Sequence, residues 1–125
     1  HKNKAMSSDV SLKRKYHVSY DNGKTLEEKE EELFDANITH NLSKMADKAG
    51  IYEACWRPEE IGATQAKDIL PLLEKGYSQL KARPEYFKQF DSPNGWGLYK
   101  HFLPWVENYL NACKEYPEAT IWVSR

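Results

Sequence analysis

Long apolar runs, a strong charge of one sign and closely spaced cysteines are all missing from this chain, and each absence removes a class of protein. No stretch approaches the roughly 18 apolar residues needed to cross a bilayer, and no basic, apolar and small-residue leader pattern opens it. A cytoplasmic protein without membrane contact is the expectation. The formal charge is only −1, without the basic stripe that general nucleic-acid binders carry. The two cysteines, Cys55 and Cys113, have no CxxC spacing and no neighbouring histidine. Each falls on an apolar face, so buried free thiols are expected rather than a disulfide. His1, His17, His40 and His101 show no metal-ligand spacing, which argues against a structural zinc. Phosphate-binding glycine loops, HExxH and GxSxG are absent as well. No cofactor is called for.

What is present suffices for a folded body. The 40% hydrophobic and 13% aromatic content can build a core at this length. A flexible polar tail is expected over residues 1–10, ahead of a single domain spanning 11–125. Leu12, Tyr16, Val18 and Tyr20 alternate with polar residues and predict a strand over 12–20. Asn22-Gly23 offers the positive φ of a tight hairpin turn. The return segment is ambiguous, because Thr25 and Glu28 resemble a capping box while Phe34, Ala36 and Ile38 alternate. A charged loop running into a strand near 30–37 is favoured. Seven acids crowd Asp21 to Asp35 against Lys24 and Lys29. Such a run is either a solvated edge that resists aggregation or an acidic surface for a basic partner.

Helical spacing then takes over. Leu42, Met45, Ala46 and Ala49 predict a helix that Gly50 stops. A short turn follows over Ile51–Trp56. Thr64 is placed to cap a longer helix buried along Ile69, Leu70, Leu73, Tyr77 and Leu80, with Pro71 expected to kink it. A short helix carries Tyr86, Phe87 and Phe90. The clearest stripe runs from Tyr99 through Phe102, Val106, Tyr109 and Cys113, is bent at Pro104, and ends before Pro117. Ala119 to Val123 is β-branched and aromatic, hence a strand. The expected fold is α+β: a small three-stranded, mainly antiparallel sheet, made of an N-terminal hairpin plus a C-terminal strand, packed against four or five helices.

Two segments stand out chemically. Asn37, Thr39, His40 and Asn41 crowd a strand-to-helix junction, where exposed N–H groups favour anions, and histidine is the side chain suited to proton transfer at physiological pH. The cluster is a helix cap with a tied-down junction, a ligand site, or a catalytic site with His40 as general base. Asn94-Gly95-Trp96-Gly97 presents a large ring between two glycines, to stack on a planar ligand or to plug the core. Arg57, beside Trp56, suits phosphate or carboxylate recognition, or a salt bridge to Glu59, Glu60 or Asp47. A pocket is expected where 37–41 and 94–97 face each other.

Taken in order, Ala36-Asn37-Ile38-Thr39-His40-Asn41, Met45, Ala49-Gly50-Ile51-Tyr52, Trp56-Arg57-Pro58-Glu59-Glu60, Asn94-Gly95-Trp96-Gly97 and Val123-Ser124-Arg125 resemble a group of small phage and prophage proteins with no assigned activity. The resemblance spans roughly residues 33–125. It implies a bacterial host cytoplasm during infection and an accessory rather than virion role, and it carries over no catalytic residue. Three functions follow as expectations. The first is binding of a small polar or nucleotide-like ligand through Asn37, Thr39, His40, Asn41, Arg57, Asn94 and Trp96, with sequestration of a host defence signal as one version. The second is inhibition of a host protein through the acidic, aromatic surface. The third is a small enzyme using His40. Oligomeric state is left open.

Overall fold

A computed structural model describes residues 7–125. Strand β1 (Ser7–Val18) pairs antiparallel with β2 (Glu27–Thr39) on one side and with β3 (Thr120–Ser124) on the other. The sheet order is therefore β2-β1-β3. A 3-10 turn (His40–Leu42) leads into α1 (Ser43–Lys48), then α2 (Tyr52–Trp56) and a second 3-10 turn (Pro58–Ile61). The helices α3 (Ala66–Ala82), α4 (Pro84–Lys88) and α5 (Tyr99–Glu115) follow. The three-stranded antiparallel sheet and five helices are the α+β plan that periodicity indicated.

The N-terminal boundary differs. Residues 7–10, assigned to the tail, open β1, and Val10 is fully buried. Their sequence is polar because Ser7 and Asp9 lie on the uncovered face of the sheet, while Ser8 and Val10 turn inward. The rest of the expected tail, 1–6, lies outside the described residues.

Alternation explains the core. Val10, Leu12 and Ile38 of the sheet form one buried cluster with Ile69, Leu73 and Leu80 of α3 and Phe102, Val106 and Tyr109 of α5. Each such side chain removed from water contributes about 1.5–3 kcal/mol. Leu70 and Tyr77, expected in the buried stripe, are only partly covered. Gln65, not Thr64, caps α3. It forms a reciprocal pair with Asp68, whose Oδ2 accepts from the Gln65 and Thr64 N–H groups at 3.0 Å. These bonds hold the Asp68 carboxyl below its usual range. Both long helices run on through Pro71 and Pro104. Cys55 and Cys113 are buried free thiols, and burial pushes Cys113 up to about 12.

The hairpin reaches beyond the body. β3 pairs with β1 only from Asp9 to Lys13, so Arg14–Val18 and Glu27–Glu31 form a two-stranded arm. A register shift between Leu12 and Lys13, opposite Leu33, separates the arm from the packed sheet. The acids of β2 face bases on β1: Arg14 meets Glu31 at 2.8 Å, Lys15 meets Glu28 at 3.2 Å, and Lys13 meets Glu30 at 3.9 Å. Glu28, Glu30 and Glu31 of the acidic run therefore find a counter-charge on the facing strand, and Glu27 pairs with Lys29 on its own strand at 3.3 Å. Such exposed pairs contribute little to stability individually. The connecting loop spans 19–26 rather than a two-residue turn. Asn22 and Gly23 do take positive φ, but side chains close the loop, with Ser19 Oγ accepting from Gly23 N–H and Asp21 Oδ1 from Thr25 N–H.

Candidate functional site

The polar bend begins where β2 leaves the sheet. Asn37 is held from the side: its Nδ2 donates to Asp9 Oδ1 at 2.8 Å, to Ser8 O at 3.2 Å and to Ser7 Oγ at 3.3 Å. Its backbone carbonyl, on the outer edge of β2, accepts the Trp105 indole N–H at 2.9 Å. Thr39 caps the 3-10 turn, with Oγ1 accepting from Asn41 N–H. These bonds fix the backbone of the bend and leave Asn37 Oδ1 and the Asn41 carboxamide without a partner among the described residues.

His40 turns the other way. Its Nδ1 accepts the Trp56 indole N–H at 2.8 Å, and Trp56 is buried. With Nδ1 accepting, the neutral ring carries its proton on Nε2. The nitrogen that could take a proton is thus already occupied by a core tryptophan, and the nitrogen left over is the protonated one. This geometry suits a structural anchor and gives no support to a general base. The helix after the bend, α1, is only six residues long, so it has little dipole to offer an anion.

Arg57 is drawn elsewhere. Its Nε donates to the Tyr52 hydroxyl at 3.2 Å and its guanidinium meets Glu60 at 3.8 Å. Tyr52 in turn stacks on Trp56. The arginine is therefore linked to the bend only through two rings, and it lines neither of the hollows beside the bend. Arg125 performs the carbonyl clamping at the end of α2, donating to Trp56 O at 2.8 Å and pairing with Glu59 at 3.0 Å.

The second segment does meet the first. Gly97 has φ +110°, and a Cβ built there would lie 2.8 Å from Asn41 Cβ. Only glycine permits this approach of loop to bend. The loop is tied internally, since Asn94 Oδ1 accepts from Ser92 Oγ at 2.6 Å and from Trp96 N–H at 2.9 Å. Trp96 is 71% exposed, so it does not plug the core. Its indole stands between two adjoining hollows. One, of about 370 Å³, is lined by Ser7, Asn37, Thr39, Asn41, Asn94 and Trp96. The other, of about 380 Å³, shares Asn37, Thr39 and Trp96 and adds Leu42, His101 and Trp105.

No family model, curated protein or solved structure matches this chain. The site is accordingly defined by its own geometry. Of the residues singled out in the sequence, Asn37, Thr39, Asn41, Asn94 and Trp96 converge on the hollows, whereas His40 and Arg57 do not. Ser7, His101 and Trp105 join them without having been expected. Trp105 carried a visible signal, because it lies three residues after Phe102 and four before Tyr109, the spacing of a shared helix face; its ring contacts both. Ser7 had none, since only the pairing Ser7↔Thr39 brings it there. Among the described residues, no cluster of His, Cys, Asp or Glu could hold a metal ion.

Proposed function

We propose that this protein binds a small, flat, polar molecule whose ring lies against Trp96. The observation that carries the reading is an indole left 71% exposed on a braced, glycine-flanked loop, between two hollows of about 370 and 380 Å³ whose mainly apolar walls carry a few carboxamides and hydroxyls. Volumes of this order hold metabolite-sized ligands. Stacking a planar base on an aromatic side chain is worth about 1–3 kcal/mol. Trp105 and Leu42 supply apolar wall for the ring, and Asn37, Asn41 and Asn94 supply hydrogen-bonding tips. In the phage setting that the sequence resemblance implies, such a binder acts by sequestering its ligand. Among the described residues, no side chain on the walls is a nucleophile poised beside a base, which favours binding over turnover.

Inhibition of a host protein through the acidic hairpin has less support. Three acids of β2, Glu28, Glu30 and Glu31, are matched across the hairpin by Lys15, Lys13 and Arg14. The experiment is a thermal-shift panel of nucleobases, nucleosides and nucleotides against the wild type and Trp96→Ala. A ligand at 100 times its Kd stabilises by about 2.7 kcal/mol. The expected result is a shift in the wild type that disappears in Trp96→Ala. A panel that leaves the wild type unmoved rejects the reading.

A further inference from the structure

We infer that the ligand is an uncharged nucleoside, with the base on Trp96 and the sugar hydroxyls among the asparagines, and that phosphorylated forms are discriminated against. This rests on the binding reading above and narrows it to one chemical class. Three observations carry it. First, neither hollow has a lysine or arginine on its wall among the described residues. Arg57, which offered the phosphate-binding fork in the sequence, is engaged by Tyr52 and Glu60 away from both. A phosphate dianion entering here would give up its water without a lysine or arginine partner.

Second, the site has a carboxylate directly behind its wall. Asp9 Oδ1 accepts from Asn37 Nδ2 at 2.8 Å, so the polar end of the hollow lies in a negative field. An anion near that carboxylate is repelled, and a neutral ligand is not.

Third, the hydrogen-bonding groups still open are suited to neutral polar atoms. Asn94 Oδ1 is fully used by Ser92 and Trp96, which leaves Asn94 Nδ2 as a donor. Asn37 Nδ2 is used three times, which leaves Asn37 Oδ1 as an acceptor. The Asn41 carboxamide keeps both a donor and an acceptor. Hydroxyls and the amide-like edges of a base donate and accept, and so satisfy this mixed set. A phosphate only accepts, and would leave Asn37 Oδ1 facing another oxygen.

The test is isothermal titration calorimetry at low ionic strength with the full chain. The probes are adenosine, guanosine, cytidine, uridine, their 5′-monophosphates and a methyl glycoside. The expected result is that at least one nucleoside binds and its 5′-monophosphate binds about tenfold more weakly or worse, the size of effect a nearby like charge produces. Asp9→Asn retains an oxygen for Asn37 and should narrow that gap while leaving the nucleoside affinity within about twofold. Trp96→Ala should remove binding. A monophosphate that binds as well as its nucleoside, or better, overturns the inference while the binding reading stands. Binding of the methyl glycoside in place of every nucleoside also overturns it, because the site is then a sugar platform. Absence of binding by any probe, or binding that survives Trp96→Ala, rejects the underlying reading as well.

Discussion

Substituting Gly97 by alanine probes the contact on which the whole site depends. Two costs combine at this position. The φ of +110° lies in a region that residues with a Cβ rarely adopt, which costs about 1–3 kcal/mol. The added methyl also lies 2.8 Å from Asn41 Cβ and 3.2 Å from the Asn41 carbonyl carbon. Backbone on the far side cannot swing away as a flexible side chain would, so overpacking adds about 1–3 kcal/mol. A total of about 2–6 kcal/mol is expected, which for a domain of this size lowers Tm by about 8–24 °C. Gly95→Ala is the internal control. It shares a positive φ of +81° but meets nothing within 4 Å, so only the backbone cost remains. Urea denaturation of both variants, followed by far-UV circular dichroism, measures the difference. Equal losses for the two substitutions would refute the reasoning, because the loop would then not be seated on the bend. A Gly97→Ala variant should in addition lose ligand affinity, since the loop must lift to relieve the clash.

Two other substitutions separate structural from chemical roles. His40→Ala leaves the buried Trp56 indole N–H without its acceptor and should destabilise by about 1–3 kcal/mol in chemical denaturation; an unchanged melting temperature would show that the bond does not matter. Tyr109→Phe should be neutral or stabilising by about 1 kcal/mol, because the Tyr109 hydroxyl is buried without a partner among the described residues and removing it relieves a desolvation cost. A loss of more than 1 kcal/mol in the same assay would mean that this hydroxyl is bonded after all.

The elements were legible where burial follows a simple period. The α5 stripe from Tyr99 to Cys113 faces a single core, so spacing of three and four identified it, and β3 could be read from its β-branched run. The arm was less legible for a physical reason. The bulge opposite Leu33 changes which residues face inward, so alternation read back from Phe34, Ala36 and Ile38 loses its phase among the glutamates. Local composition then resembled a helix start. Matching Lys13, Arg14 and Lys15 against Glu28, Glu30 and Glu31 would have revealed the pairing, since opposite charges across a hairpin stabilise it. At the site, five of seven expected residues converge because they lie on two short segments that touch. Arg57 takes the salt-bridge alternative instead, because helix-end geometry gives it Glu60 three residues on. His40 takes the structural alternative, a tied-down junction, by serving as a plain acceptor for the Trp56 indole, and that choice of partner has no sequence signature.

The central position of β1 also sets the order in which the molecule can be completed. Asp9 pairs with Ser124 and Val10 with Val123, so one flank of β1 stays open until α1 to α5 have emerged from the ribosome. Contacts so distant along the chain slow folding, and an unpaired strand edge waiting in solution invites association with other chains. The alternating lysines, arginine and glutamates of the neighbouring arm keep the nascent hairpin hydrated during that wait.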